Sequence, residues 1–358
     1  RLSVWNSVVA DSQGHLAYQM CGSVPRRAIP TRGTRPANDA GHAWDGYWNT
    51  PDLPGQMDPD RDWVASANNP PILPGKTRPL YGTYADAYRS DRIARFLDGT
   101  THTAAQVGQL QADNLSLRAE DLSAAVATLI ESAEAGAGKA LAGHLRSWNH
   151  CYDADQVGAT IWAILWPRLV ANVGNDLLPS FVAELNAANA GRIVRHLLLA
   201  TDLPLPPVDL SASLAQAVRS TITYLTPILG ESMETWTWEG AQCMRLQHPL
   251  STHAAARRVF DPPTIPCDGG GGVINNRSAK ETSQGLEVTG GPSYRFVADL
   301  STKHATGCLL AGQSAQPGHR HYTDQLSLWP EGQWHPLWMD DDDIETQRTG
   351  EFGLGPEK

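Results

Sequence analysis

The segment Ala65-Ser66-Ala67-Asn68-Asn69-Pro70-Pro71 sets two carboxamides between a mostly apolar run and two prolines. Asn69 precedes proline and is biased to extended backbone, and an extended pair directs successive side chains to opposite faces. One amide then faces a cleft while the other faces away. A carboxamide aimed into a cleft offers two N–H donors without charge, which suits an oxyanion that exists only in the transition state of acyl transfer. The plainer alternative is that both asparagines are turn residues ahead of the prolines.

Two other clusters carry chemical groups. Arg89, Arg92 and Arg95 recur at every third residue, so they drift around a helix and at most two can share a site. An arginine there can orient a carboxylate or an amide oxygen; otherwise the three form a solvated face with Asp86 and Asp91 as partners. His319 and His321, on an extended segment, would share a face and could serve a metal, with Asp324 completing an acid/base set. No further Cys, His or Glu clusters nearby to complete a metal shell, so hydrogen bonding within a turn is the stronger reading and no metal or cofactor is expected. The glycines at 269–272 lack the Gly-Lys-Ser/Thr ending of a phosphate loop and read as a turn.

Periodicity indicates the elements that must hold these groups. The runs 4–10 and 15–20 lean to strand and are separated by Asp11-Ser12-Gln13-Gly14, good hairpin chemistry. Residues 24–82, rich in Pro, Gly, Asp and aromatics, read as a long ordered loop region, where functional groups concentrate. Helical patterns follow at 84–98, 103–111, 119–135, 138–148, 156–173, 179–200 and 211–229, with Asn114 and Ser116 as cap candidates for the third. Strand candidates return at 286–289, 294–300, 306–311 and 334–339, ahead of an acidic run at 340–343. The organisation expected is 1–82 as hairpin and active-site loop region, 83–235 as helical block and 236–358 as returning strands and tail, all one structural unit. That is an α+β architecture with a large helical block between two sets of strands.

Composition bounds the partners. The 358 residues are 41% hydrophobic and 18% charged, ordinary for a globular chain. A formal charge of -10 gives no basic footprint for nucleic acid. Cysteines at 21, 151, 243, 267 and 308 are too scattered for a disulfide framework, although one bridge is possible. The densest apolar stretch, 159–166, ends at Pro167, short of membrane-spanning length, and reads as a buried helix turn. The first residues, Arg1-Leu2-Ser3-Val4, read as a chain cut inside a sheet.

Four stretches, in order along the chain, resemble the later part of the large (beta) subunit of the penicillin acylase (penicillin amidase) family, within the N-terminal-nucleophile hydrolase superfamily. They are VADSQGHLAY at 9–18 with Gly22 and Pro25-Arg26-Arg27; Trp44-Asp45-Gly46 leading to Ala67-Asn68-Asn69; Tyr88-Arg89 with Arg92-Ile93; and YRFVADL at 294–300, through Gly312-Gln313-Ser314, to HYTDQ at 321–325. The resemblance implies part of a four-layer αββα sandwich that cleaves an acyl amide bond. In this family autoproteolytic processing of a zymogen exposes an N-terminal Ser whose own α-amino group serves as base. It further implies that Asn68 supplies an oxyanion-hole donor and that Arg92 supports the site, with Asn69 and Arg89 as competitors for those roles.

The nucleophile falls outside this chain by the same resemblance, and Ser3, in a strand run, is no substitute. A partner chain or segment of a heterodimer is therefore expected to carry the N-terminal Ser, and this chain alone is expected to be inactive. Nucleic-acid and membrane partners are not expected; a periplasmic or secreted location is. Some relatives bind calcium through a carboxylate between the asparagine and the arginine, but the loop 70–84 has none, so no calcium ligand is expected from it. Tyr84, Tyr88, Trp44 and Trp48 are candidate pocket residues with packing as the alternative. Antibiotic β-lactam side chains, acyl-homoserine lactones and lipopeptides all remain open as substrates. The alternative function is a non-catalytic scaffold or binding fragment that keeps the acylase fold.

Overall fold

A computed structural model describes residues 4–29, 36–71, 84–177, 187–199 and 208–355. The chain divides into two units, each assembled from separated stretches of sequence. The first comprises residues 1–101, 113–244 and 266–290, and the second comprises 102–112, 245–265 and 291–358.

In the first unit, β1 (Trp5–Ala10) and β2 (Leu16–Cys21) form the expected hairpin, closed by the Gly14 N–H on the Asp11 carbonyl. A third strand, β3 (Gly55–Met57), pairs antiparallel with β2. The loop between β2 and β3 is partly ordered by its own ladder. Arg26 and Gly46, Asp45 and Arg26, and Trp48 and Val24 are joined through backbone hydrogen bonds of 2.8–3.0 Å.

The helical block follows as α1 (Tyr88–Leu97), α3 (Leu117–Ala133), α4 (Ala137–Ser147), α5 (Val157–Leu177), α6 (Ala187–Leu198) and α7 (Leu210–Leu229); the intervening α2 (Ala104–Leu110) belongs to the second unit. Ser116 caps α3, its hydroxyl accepting from the Ala119 N–H at 3.2 Å. Asn114 serves elsewhere, bonding Asp153 and Asn275. Leu122, Val126 and Ile130 of α3, Leu141 and Leu145 of α4, Ile161 and Leu165 of α5 and Leu214 and Leu225 of α7 form a core sealed from solvent. Burial of this apolar surface is the main force holding the block together.

Helix α5 runs through Pro167, as the helical pattern at 156–173 implies, and is 21 residues long in all. Proline removes one helical N–H, and the Arg168 side chain adds a 3.2 Å hydrogen bond to the Ile164 carbonyl beside the gap. By length and composition α5 could cross a membrane, but 67% of that apolar window is buried within the protein, as in a core helix.

The short helix α8 (Trp238–Ala241) leads into β4 (Gln242–Met244), which runs parallel to β7 (Gly285–Gly290); β6 (Ser278–Thr282) pairs antiparallel with β7. Between β5 (Ile265–Pro266) and β6 lies the glycine run, which is a turn. At Gly269, φ is +85° and a Cβ would fall 2.2 Å from the Asn275 carbonyl, so only glycine fits. The turn is anchored by the Gly269 N–H on the Tyr152 carbonyl and the Asn275 N–H on the Asp113 carbonyl.

In the second unit, β8 (Tyr294–Asp299), β9 (His304–Leu309) and β10 (His335–Trp338) form an antiparallel sheet, with α2 fixed to β8 by Gln111 Nε2 on the Phe296 carbonyl. Helices α9 (Ala254–Phe260), α10 (Leu328–Glu331) and α11 (Asp341–Gln347) complete it. Arg295 is buried against the Trp329 ring and donates to the Trp329 carbonyl. All five cysteines are free thiols, so the possible bridge is not formed.

Candidate functional site

The two asparagines are separated by backbone geometry, though not by the extended alternation expected. Asn68 has φ +62°, the left-handed region that asparagine tolerates better than most residues. Asn69 turns back on its own loop: its Oδ1 accepts from the Ala67 N–H at 3.0 Å and its Nδ2 donates to the Pro70 carbonyl at 3.3 Å. Its amide is thus occupied locally, as in a turn. Asn68 projects to solvent instead. Its loop is tied to the first sheet through Asn6, which donates to Ser66 Oγ and accepts from the Tyr18 hydroxyl. It is tied to the approach to α1 through the Ala85 N–H on the Asn68 carbonyl.

The guanidinium beside Asn68 belongs to Arg89 and not to Arg92. Arg89 Nη2 donates to Asn68 Oδ1 at 2.8 Å. That contact fixes which end of the amide is which, because only the oxygen accepts. The Asn68 NH2 group is left facing outward, with no partner among the described residues.

Three residues further along α1, the helix has turned by about 60° from Arg89. Arg92 therefore meets a different group, Asp113, in a two-pronged contact of 3.1 and 2.5 Å with both side chains largely buried. The Asp113 hydrogen bond holds the Arg92 guanidinium more firmly protonated than usual, whereas burial lowers Arg89, partly offset by the charge of Asp86. Arg95 goes to a third partner, Glu120. Asp86, expected to pair along α1, is engaged by Arg118.

Sequence reasoning did not single out Asp113, Arg118, Asp121 or Arg195. Asp113 lies just ahead of the Ser116 cap, where its carboxylate also accepts the Leu115 N–H, and the glycine turn holds its carbonyl. Asp121 gathers the Tyr88 hydroxyl at 2.8 Å and Arg195 Nε at 2.6 Å. Burial pushes the Tyr88 phenol up to about 12, so it acts as a donor. Cys151, near Arg92, is pushed up to about 11, first by burial, and is no nucleophile at neutral pH.

Next to Arg89 opens a cavity of about 480 Å³ between α1, α3, α5 and α6. Of the aromatic residues expected to line a pocket, Tyr88 does. Trp44 is exposed and packs edge-on to Tyr47 with Arg27 over its ring.

The histidine segment is a series of turns and not extended. His321 Nδ1 meets Asp324 Oδ2 at 2.6 Å, its Nε2 accepts from Arg320, and its backbone N–H donates to His319 Nδ1. Both ring nitrogens of His321 are therefore engaged within the loop. Among the described residues no group of three or more His, Cys, Asp or Glu side chains could hold a metal ion. Ser3 and most of the loop 70–84 lie outside the described residues.

A sequence profile of the penicillin amidase family matches residues 1–346. Acyl-homoserine lactone acylase QuiP of Pseudomonas syringae pv. syringae is 23% identical over 93% of this chain and 44% of its own length. The protein of the same name from Pseudomonas aeruginosa is 24% identical over 92% of this chain and 43% of its own. The chain thus spans less than half the length of these relatives. A thermostable penicillin G acylase from Alcaligenes faecalis superposes with a TM-score of 0.62 over 99% of this chain and 68% of that one, at 15% identity. That likeness is one of fold, and it agrees with the mixed helix-and-sheet, N-terminal-nucleophile architecture expected from the sequence. With the profile matching nearly end to end, this chain belongs to the penicillin amidase family.

Proposed function

We propose that this chain is part of an acyl-amide hydrolase working by N-terminal-nucleophile acyl transfer, with Asn68 as an oxyanion-hole donor and Arg89 as the residue that positions it. The observation that carries the reading is the polarised carboxamide: Asn68 Oδ1 is held by Arg89 at 2.8 Å, which directs the NH2 group outward. A donor held in this way needs no reorientation as negative charge develops on a carbonyl oxygen, and that is the condition under which one hydrogen bond lowers a barrier. Arg92, locked onto Asp113, fixes the orientation of α1 and so the base from which Arg89 reaches.

The nucleophile belongs to another segment or chain of the same protein, exposed by processing. Its hydroxyl attacks the amide carbonyl, its α-amino group takes the proton, and the leaving amine receives that proton as the acyl-enzyme forms. Water then releases the acid. The curated relatives direct the substrate choice to N-acyl-homoserine lactones, which carry a secondary acyl amide. A periplasmic or secreted location, where such diffusible amides are met, is part of the proposal.

The test is hydrolysis of an N-acyl-homoserine lactone series, and of penicillin G, by the full-length processed protein, followed as acid released. The expected result is turnover that needs the N-terminal nucleophile and falls about a hundredfold or more in Asn68→Gly. Residues 1–358 expressed alone are expected to show none. Wild-type turnover in Asn68→Gly would overturn the assignment.

A further inference from the structure

The cavity beside Arg89 is a second feature of this site, and its walls specify a ligand. Its floor is apolar, formed by Leu122, Trp166 and Val170, while four arginines, Arg89, Arg118, Arg192 and Arg195, face it with Tyr88 and Asn276, and Asp86 is the one carboxylate lining it among the described residues. Two of these charges are neutralised in place, Arg118 by Asp86 and Arg195 by Asp121. Among the described residues Arg89 has the neutral Asn68 oxygen as its hydrogen-bond partner, and Arg192 is exposed with no ion partner. Among the described residues the cavity therefore carries two cations with no carboxylate in ion-pair contact, over a hydrophobic floor.

We infer that this cavity binds a small apolar monocarboxylate, its hydrocarbon body on the Trp166 floor and its carboxylate toward Arg89 and Arg192. A volume of about 480 Å³ falls in the range of small-molecule sites and is too small for a two-chain lipid. The guanidinium fork matches a carboxylate, and an anion partly removed from water gains more from it than one at an open surface. Arg89 lines the cavity and also holds Asn68, so the occupant adjoins the group that positions the carboxamide.

Isothermal titration of the full-length processed protein with decanoate tests this directly and reads binding without any turnover. One saturable site is expected, with decanol, the uncharged analogue, bound at least about tenfold more weakly. Arg192→Glu, an exposed position, is expected to weaken decanoate about tenfold or more. Gly191→Leu provides a steric arm: a Cβ at Gly191 lies 3.5 Å from Trp166 Cζ2, so the larger side chain fills the floor and should abolish binding. Thermal melting establishes that each variant is folded; if Arg192→Glu is not, Arg192→Gln takes its place with a smaller expected loss. Equal binding of decanol and decanoate would overturn the inference. So would unchanged affinity in either folded variant, or absence of saturable decanoate binding.

Discussion

The Asn68 loop and the His319–Asp324 turn both present, in sequence, the residue types of catalysis, and the structure treats them oppositely. In the histidine turn every ring nitrogen of His321 and the Nδ1 of His319 are engaged by neighbours within two or three residues. The loop is stabilised by its own polar groups and has little left to offer a ligand. At the Asn68 side chain the contact from Arg89, 21 residues away, takes only the acceptor end of the amide. Among the described residues the donor end has no partner, because Arg89 comes from a separate helix that can hold one atom without enclosing the other. A candidate functional group is thus recognised less by its type than by which of its hydrogen-bonding atoms the fold leaves unused.

The largest effect that could break this comparison is at Asn68 itself. Asn68→Gly keeps the left-handed backbone at no steric cost and removes only the amide. We expect kcat on the best acyl amide to fall about a hundredfold to a thousandfold with the melting temperature nearly unchanged. Arg89→Ala should cost roughly tenfold to a hundredfold, mainly in kcat, since a charge-assisted hydrogen bond that orients the donor is lost. Arg89→Lys should recover part of it, and a loss confined to KM would instead make Arg89 a substrate-binding group.

How much of this was legible in the sequence depends on where the deciding contact lies. The hairpin, most helices and the returning strands followed from local periodicity. Strand β6 did not, because Ser278-Ala279-Lys280-Glu281-Thr282 is polar and mostly exposed and so carries no apolar alternation. The acidic run at 340–343 opens α11, where carboxylates favour the helix N-terminus; the sequence reading saw only charge. The helix drawn through Pro167 was legible, because the packing of α5 on both sides outweighs the local cost of one missing N–H. At the site, Asn68 and the α1 arginines were visible as types and spacing. That Arg89 and not Arg92 contacts Asn68 was not, since it depends on the azimuth of α1 relative to a loop 20 residues earlier and on Asp113 in another element.

Arg92 sharpens the contrast between positioning by burial and positioning by exposure. Arg92→Ala leaves Asp113 largely buried without its guanidinium, and we expect a loss of roughly 2–3 kcal/mol in denaturant unfolding. The loss of activity should follow the loss of folded protein. A smaller effect belongs to His150, which has φ +65°, meets Ser123 Oγ at 3.0 Å and has its pKa lowered by burial. Its folded pKa lies below the unfolded value of about 6.5, so the unfolded chain takes up the proton first as pH falls. Stability should therefore be complete above that value and decline as pH drops from it toward the folded pKa. His150→Asn, which tolerates the same backbone, should flatten that part of the melting-temperature profile measured between pH 7 and 5.

The smallest effect is expected where the sequence looked most like a metal site. His321 and Asp324 are both substantially exposed, at 43% and 29%, and pairs of that kind contribute about 0–1 kcal/mol. His321→Ala should thus move the unfolding midpoint only slightly, leave acyl-amide turnover at the wild-type rate, and show no difference between metal-free buffer and buffer with added zinc. A hundredfold loss of activity, or a melting temperature that rises with zinc in the parent and not in the variant, would reverse the ranking of the two regions. The histidine turn would then be the part with unused capacity. The Asn68 amide, with its oxygen already held and its nitrogen outward, would be reduced to a turn residue ahead of two prolines.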